Sequence, residues 1–238
     1  MKKFLFAITL LLAITLATGA LAETVIIPVQ RMEEEGLAFP RDKVILKTNV
    51  LYMEHYDVRK VEGCRMKAGS VLLSDGRTAW ISILEREQEE APGNLYLVLS
   101  AEDGEVIEEY YPDDDIYTWV LLQWHEAKGG GSLMDWPLEE QALFLWLFGP
   151  VDEYFDPTQT AVSPETAIGI ADAWLKERFG AAYDNASVSF AGRYDDNNRL
   201  LYYWMISFLQ DGEQAFLVYV DTETGEVING YDLAEGNG

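Results

Sequence analysis

Two stretches of this chain carry the same text. Residues 202–231 read YYWMISFLQDGEQAFLVYVDTETGEVINGY, and residues 80–110 read WISILEREQEEAPGNLYLVLSAEDGEVIEEY. Each is an apolar run, a polar break, a second apolar run and a Gly-centred turn. The turn leads into Val227-Ile228 in one stretch and Val106-Ile107 in the other. That is the pattern of antiparallel strands joined by turns. A repeat of this kind constrains the fold more than composition does, because both copies must build one kind of unit.

The match extends upstream. At an offset of 124, Trp80 falls on Trp204 and Pro40 on Pro164, while Val44, Leu46, Val50 and Leu51 fall on Ile168, Ile170, Trp174 and Leu175. In the second copy the spacing predicts a helix. Ser163 suits the N-cap, Pro164 the first turn, Glu165 the positive end of the dipole and Gly180 the C-terminal cap. Ile168, Ala171, Leu175 and Phe179 fall on one face. In the first copy Val44, Ile45 and Leu46 are consecutive, and β-branched residues favour strand. The repeat nonetheless predicts a helix there. Further strands are expected over 70–73, before a turn at Ser74-Asp75-Gly76, and over 186–190, before a turn at 195–198. The loop at 85–94 is longer than its counterpart.

Two apolar helices are expected between the copies. Ile116 to Glu126 follows an acidic Asp113-Asp114-Asp115, which suits a helix start, and Lys128 suits its end. Gly129-Gly130-Gly131 stops it and provides a flexible joint. Pro137 opens Leu138 to Phe148, stopped by Gly149-Pro150. Its ALFLWLF text is apolar all round, which predicts burial between other elements, with membrane docking as the minor alternative.

The N-terminus reads as an address. Lys2 and Lys3, the apolar run from Phe4 to Thr18, and Ala20-Leu21-Ala22 form a signal peptide with cleavage after Ala22. No later run is long enough to span a membrane. The chain has 17 Lys+Arg against 41 Asp+Glu, and losing two lysines takes the net charge from -24 to -26. Such a surface repels nucleic acid and anionic membrane. Cys64 is the one cysteine, so no internal disulfide forms, and a buried inert thiol is expected. Thr24 to Ile27 is a candidate strand in an otherwise loose leader.

Catalytic text is weak. His125-Glu126 begins like a zinc-protease helix, but Gly129 stands where the second His belongs, and His55 is the only other histidine. His125 therefore reads as a helix-end residue. Asp113 to Asp115, Asp195-Asp196, and Asp221 with Glu223 offer oxygens for calcium without the EF-hand spacing. Paired carboxylates for glycoside chemistry have no distinguishing text among 41 acids. There is no nucleophile elbow, phosphate loop or basic aromatic patch. The Asn185-Ala186-Ser187 sequon reads as chance. Trp80, Trp174 and Trp204 sit at core spacing, whereas Trp119, Trp124, Trp136 and Trp146 cluster between the copies and are the candidate aromatic binding surface.

A helix, a strand, and two strands closing on Tyr219-Val220-Asp221 and Thr224-Gly225-Glu226-Val227 resemble the PepSY domain. SPETAIGIADAWLKERFG, from Ser163, supplies the helix of that pattern. The first copy departs, with Ser100 in place of Asp221. WPLEEQALF resembles the connector of secreted multi-copy PepSY-like proteins of gut Firmicutes. The resemblance implies a helix laid across an antiparallel sheet, and a domain that binds proteases and in propeptides inhibits them. It brings no catalytic residues.

The resulting expectation is an α+β protein of two tandem PepSY-like units, each a helix packed on a small antiparallel sheet, joined by apolar connector helices. The divisions are a signal peptide (1–22), leader (23–39), degenerate first copy (40–111), helical connector and linker (112–162), second copy (163–233) and tail (234–238). The expected function is that of a secreted, non-enzymatic binding module acting on a protease or another cell-envelope protein. No cofactor, metal or catalytic residue is assigned, and neither nucleic acid nor a membrane span in the mature chain is expected. The alternatives are a secreted carboxylate-dependent hydrolase, and a structural or calcium-responsive surface protein.

Overall fold

The computed structural model describes residues 26–233, apart from 114, 132, 150–152 and 196–198, with the backbone alone at 134. The signal peptide, the C-terminal tail and most of the 195–198 turn lie outside the described residues. Among the described residues the fold is α+β, with two antiparallel sheets and four α-helices. One compact unit ends at Tyr154 and the other begins at Phe155.

The first unit holds a five-stranded sheet in sequence order. Its strands are β1 (Pro28–Arg31), β2 (Cys64–Leu73), β3 (Thr78–Arg86), β4 (Leu95–Ser100) and β5 (Val106–Tyr110). Helix α1 (Arg41–Tyr56) covers one face, seating Val44, Thr48 and Tyr52 among Trp80, Leu84, Leu95, Leu97 and Leu99. The β-branched start does not prevent the helix, because residues four apart fall on one buried stripe and tertiary packing outweighs propensity. The buried Thr48 hydroxyl bonds to Val44 O and Ser82 Oγ, both at 2.8 Å, so this polar pair is satisfied inside the core.

The supposed connector covers the other face. Helices α2 (Ile116–Ala127) and α3 (Leu138–Phe148) pack Val120, Trp124, Phe144, Leu147 and Phe148 against Ala79, Ile81, Ile83, Tyr96 and Val98. Strands β3 and β4 are thus buried on both sides, and the unit has three layers. Asp115 caps α2 by accepting from Thr118 N at 2.8 Å. Gly129–Gly131, with φ between 76° and 99°, links α2 to α3 inside this unit rather than joining the two copies. The leader is also structural. Its described strand lies at Pro28–Arg31 and pairs antiparallel with β2, while Thr24 and Val25 of the expected strand lie outside the described residues.

The second unit holds β6 (Asn185–Tyr194), β7 (Leu200–Gln210), β8 (Glu213–Asp221) and β9 (Val227–Asp232), again in sequence order. Helix α4 (Pro164–Phe179) packs on this sheet through Ala167, Ala171 and Leu175. Ser163 caps it, accepting from Thr166 N at 3.2 Å, and Gly180 ends it with φ 60°. Ile168 and Phe179 are not in its buried stripe, and Phe179 is 39% exposed. Val44, Thr48 and Tyr52 therefore match Ala167, Ala171 and Leu175 at an offset of 123, not 124. Pro40 is an N-cap whereas Pro164 is the first helical residue, so aligning the prolines shifts the helices by one.

The repeat is preserved at atomic detail. Trp80 and Trp204, both fully buried, donate their indole N–H to Phe39 O (2.9 Å) and Val162 O (2.7 Å) just ahead of each helix. Phe39 and Val162 in turn donate their backbone N–H to Ala101 O and Thr222 O, both at 2.9 Å. This latch ties the helix start to the last hairpin of each sheet. The hairpin turns also match. Asp221 Oδ1 accepts from Glu223 N and Thr224 N, and Ser100 Oγ accepts from Glu102 N and Asp103 N. Ser100 thus does the same work as Asp221 with a weaker, neutral acceptor. Gly104 (φ 75°) and Gly225 (φ 73°) supply the left-handed step of each turn.

Close packing of α3 on its sheet makes one glycine sensitive. A Cβ at Gly69 would stand 2.2 Å from a Trp146 ring carbon. Gly69→Ala is expected to cost about 1–3 kcal/mol by overpacking, read as a lower urea midpoint. The same change beside Trp146→Leu is expected to cost less, and an equal cost in both backgrounds would place the strain elsewhere.

Candidate binding surface

The four connector tryptophans form part of the aromatic layer between α2–α3 and the first sheet. Trp124 and Trp136 are buried, with ring centroids 6.0 Å apart, and Trp124 stands edge-on to Phe144 at 5.2 Å. Trp119 is half-buried against Tyr110 at 5.2 Å and Tyr96 at 5.6 Å. Trp146, also half-buried, lies on Gly69 and carries the Arg31 guanidinium 5.1 Å from its ring. Arg31 also lies 4.9 Å from the Tyr154 ring. In this structure these side chains meet one another and their own sheet, and Trp124 and Trp136 present almost no surface.

The titratable candidates are similarly placed. His125 is in the last turn of α2. Cys64 is half-buried rather than fully buried, with its sulfur 3.1 Å from the Tyr52 hydroxyl. Burial, and then the hydrogen bond to Cys64, push the Tyr52 phenol above its ordinary range. The carboxyls of Asp75, Asp103 and Asp172 are all held low, chiefly by hydrogen bonds from Arg77, Glu105 N and Lys176 respectively. Asp195 pairs with Arg199 at 2.8 Å, and Asp221 serves its turn. Among the described residues no group of three or more His, Cys, Asp or Glu is arranged to hold a metal.

The informative geometry is at the sheet margins. An edge strand offers unpaired N–H and C=O groups, and proteins blunt it by shortness, proline, bulges or charge. Strand β1 has four residues, opens on Pro28 and breaks register between Pro28 and Gln30. Strand β5 has five residues, carries Glu108 and Glu109, and faces a register break at Val98/Leu99. Strand β9 has six residues, ends on Asp232, and faces a break at Tyr219/Val220. Strand β6 differs. Its ten residues, NASVSFAGRY, contain no proline and no acid, and pair with β7 in unbroken register from Asn185↔Leu209 to Tyr194↔Leu200. Arg193 is its one charge, with the guanidinium 5.7 Å from the Tyr203 ring.

The first unit shows what such an edge takes. Ser70 pairs with Trp80 as Phe190 pairs with Trp204, so β2 is the counterpart of β6. On β2 this edge is occupied. Strand β1 lies beside Val71–Leu73, Met32 N donates to Ser70 O at 2.9 Å, and Ser74 N donates to Ile27 O at 2.9 Å. The matching residues on β6 are Ala191, Gly192 and Arg193. Among the described residues ahead of α4 no corresponding strand forms, and Phe155 lies on Tyr202 (4.1 Å) and Phe190 (4.7 Å). Gly192, Arg193 and Tyr194 are exposed, Tyr194 by 47%.

The faces differ as well. Where the first sheet turns Ala79, Ile81, Ile83, Tyr96 and Val98 toward α2–α3, the second has Tyr203, Met205, Ser207, Leu217 and Tyr219. Tyr203 and Ser207 are buried and Met205, Leu217 and Tyr219 half-buried, so this face carries polar-tipped and flexible side chains where its counterpart is apolar apart from Tyr96. Among the described residues the second unit has α4 as its one helix, so nothing in it corresponds to α2–α3.

Of the four candidate tryptophans Trp124 and Trp136 are buried and Trp119 and Trp146 half-buried, and the strand expected at 186–190 is an edge strand, which its text did not announce. The available signal was compositional. Residues 185–194 and 200–210 hold no acid in a chain with 41 of them.

No protein-family model matches the chain. No curated protein matches it either. Two solved structures align with it weakly. One is a protein of Clostridium difficile 630 described as a lipoprotein, 13% identical over 85% of this chain and 99% of that one, with a TM-score of 0.26. The other is the Bacillus megaterium YpeB C-terminal domain, 12% identical over 88% of this chain and 69% of that one, with a TM-score of 0.24.

Proposed function

We propose that this chain is a secreted, non-enzymatic, PepSY-like protein-binding module, and that its C-terminal unit takes up a protease or another cell-envelope protein. One observation carries the reading. Each unit has the same helix, latch and hairpins, but the first fills its β2 edge with β1 and its second face with α2–α3, while among the described residues the second shows neither element. A sheet edge that is exposed at Gly192–Tyr194 and shows no strand like its twin's can take one from a partner. The text Tyr219-Val220-Asp221 with Thr224-Gly225-Glu226-Val227 adds the PepSY-like resemblance. Among the described residues no helix is long and apolar enough to cross a membrane, which is compatible with action outside the cell.

The test uses the purified mature chain with secreted proteases from culture supernatant. A dose-dependent fall in proteolysis, or saturable capture of one envelope protein, is expected. Tyr219→Ala in the second unit, at a half-buried position of that face, should weaken either by about tenfold, in the range of an aromatic hot spot. The corresponding face of the first unit lies under α2–α3, so Leu122→Ala on the outside of α2 should leave it unchanged. Proteolysis unaffected at every dose, with no captured partner, would overturn the reading.

A further inference from the structure

Resting on that reading, we infer that the outer edge of β6, centred on Ala191–Tyr194, pairs with an extended, cationic polypeptide segment that runs antiparallel to it. Three observations carry this. Strand β6 is the long edge among the four, ten residues without proline, acid or register break, so it lacks the devices that keep the other edges from pairing. The chain itself supplies a precedent, because the equivalent stretch of β2 is paired by the extended residues of β1, in antiparallel sense.

The third observation is charge. At the Asn185 end stand Asp184, Asp211 and Glu213, brought together where Asp184 Oδ2 accepts from Asp211 N at 2.7 Å. At the Tyr194 end the sequence carries Arg193 and Arg199 against Asp195 and Asp196, with Asp195 paired to Arg199. The edge is therefore negative where β6 begins and balanced where it ends. An antiparallel partner brings its C-terminal end to the beginning of β6, so its cationic residues belong at that end. The net charge of -24 also favours approach of a basic segment and opposes a second copy. Main-chain hydrogen bonds supply affinity that tolerates many side chains, and the charges fix direction.

The test uses the full mature chain and synthetic peptides of about eight alternating threonine and valine residues. One carries two lysines at its C-terminal end, a second carries them at its N-terminal end, and a third is the first with alternate backbone nitrogens methylated. The first peptide is expected to slow amide exchange at Ala191–Tyr194. At low salt it should bind about tenfold tighter than its charge-reversed isomer, a gap that closes as salt screens the charges. The methylated peptide should lose at least tenfold. Equal binding of the methylated peptide, or protection elsewhere than β6, would overturn strand addition. Equal binding of the two lysine isomers would overturn the charge argument, and a peptide-free dimer with protected β6 amides would assign the edge to a second copy. Peptide failure with intact partner capture sinks this inference alone. Peptide pairing with no partner captured sinks the broader reading.

Discussion

Trp204→Ala is expected to unfold the C-terminal unit at denaturant concentrations that leave the first unit folded. Trp204 is fully buried between α4 and its sheet, and its indole N–H holds Val162 O at 2.7 Å. Truncation removes that bond and leaves a cavity the size of an indole, at a cost of about 3–5 kcal/mol. Against a domain stability of about 5–15 kcal/mol that is a large fraction. Because the two units are separately compact, the loss should appear as a split transition in circular dichroism. Residue-level hydrogen exchange should assign the early phase to β6–β9. Trp80→Ala should give the mirror image, since Trp80 makes the same bond to Phe39 O at 2.9 Å. If either substitution lowers one common transition, the two copies fold as a single cooperative body and the division at 154/155 has no energetic meaning.

The same tryptophans show how far the text alone could be read. They align at an offset of 124, and the hairpins that follow have the strands and turns the repeat implied. The helices were legible in kind but not in register. Matching Pro40 to Pro164 compares an N-cap with a first-turn position, and such one-residue differences at helix starts leave no mark on composition. Helix α1 was obscured by local propensity, which the packing of Val44, Thr48 and Tyr52 overrode. For α2 and α3 the helices and the burial were legible, but not the surface they cover. ALFLWLF signals a helix with no water-facing side, yet says nothing about which surfaces cover it. The answer lay in other residues. Ile81, Ile83 and Val98 on the outward side of the first sheet demand a cover, whereas Met205, Ser207 and Tyr219 at the same places in the second demand much less. The β6 edge was harder still, since an edge is a property of strand order, which sequence patterns do not encode directly.

The layer under α2–α3 also makes the first unit sensitive to base. Tyr96 is fully buried there, and its phenol is pushed above the ordinary tyrosine range, first by burial and then by the nearby charge of Glu108, with Trp124 pulling slightly the other way. Its hydroxyl makes no hydrogen bond of ordinary geometry. Below about pH 10 the phenol is neutral in both folded and unfolded chains, so its contribution to stability is fully present. Above that the unfolded chain ionises Tyr96 while the folded chain resists, and stability falls by about 1.4 kcal/mol per pH unit until the folded phenol itself titrates. Tyr52, Tyr56, Tyr111 and Tyr117 of the same unit are raised in the same direction, against Tyr183 and Tyr219 in the second. Urea midpoints followed by hydrogen exchange from about pH 8 to pH 11.5 should therefore drop more steeply for β1–β5 than for β6–β9. Tyr96→Phe removes an ionisable group without emptying the site. At pH 8 it should change stability by less than about 1 kcal/mol, since the lost hydroxyl is poorly bonded. Between about pH 10 and 11.5 it should flatten the fall by the slope of one proton. An unchanged slope would mean that α2–α3 lifts before the phenol ionises, and the aromatic layer would then be a cover that opens in base rather than a core that resists it.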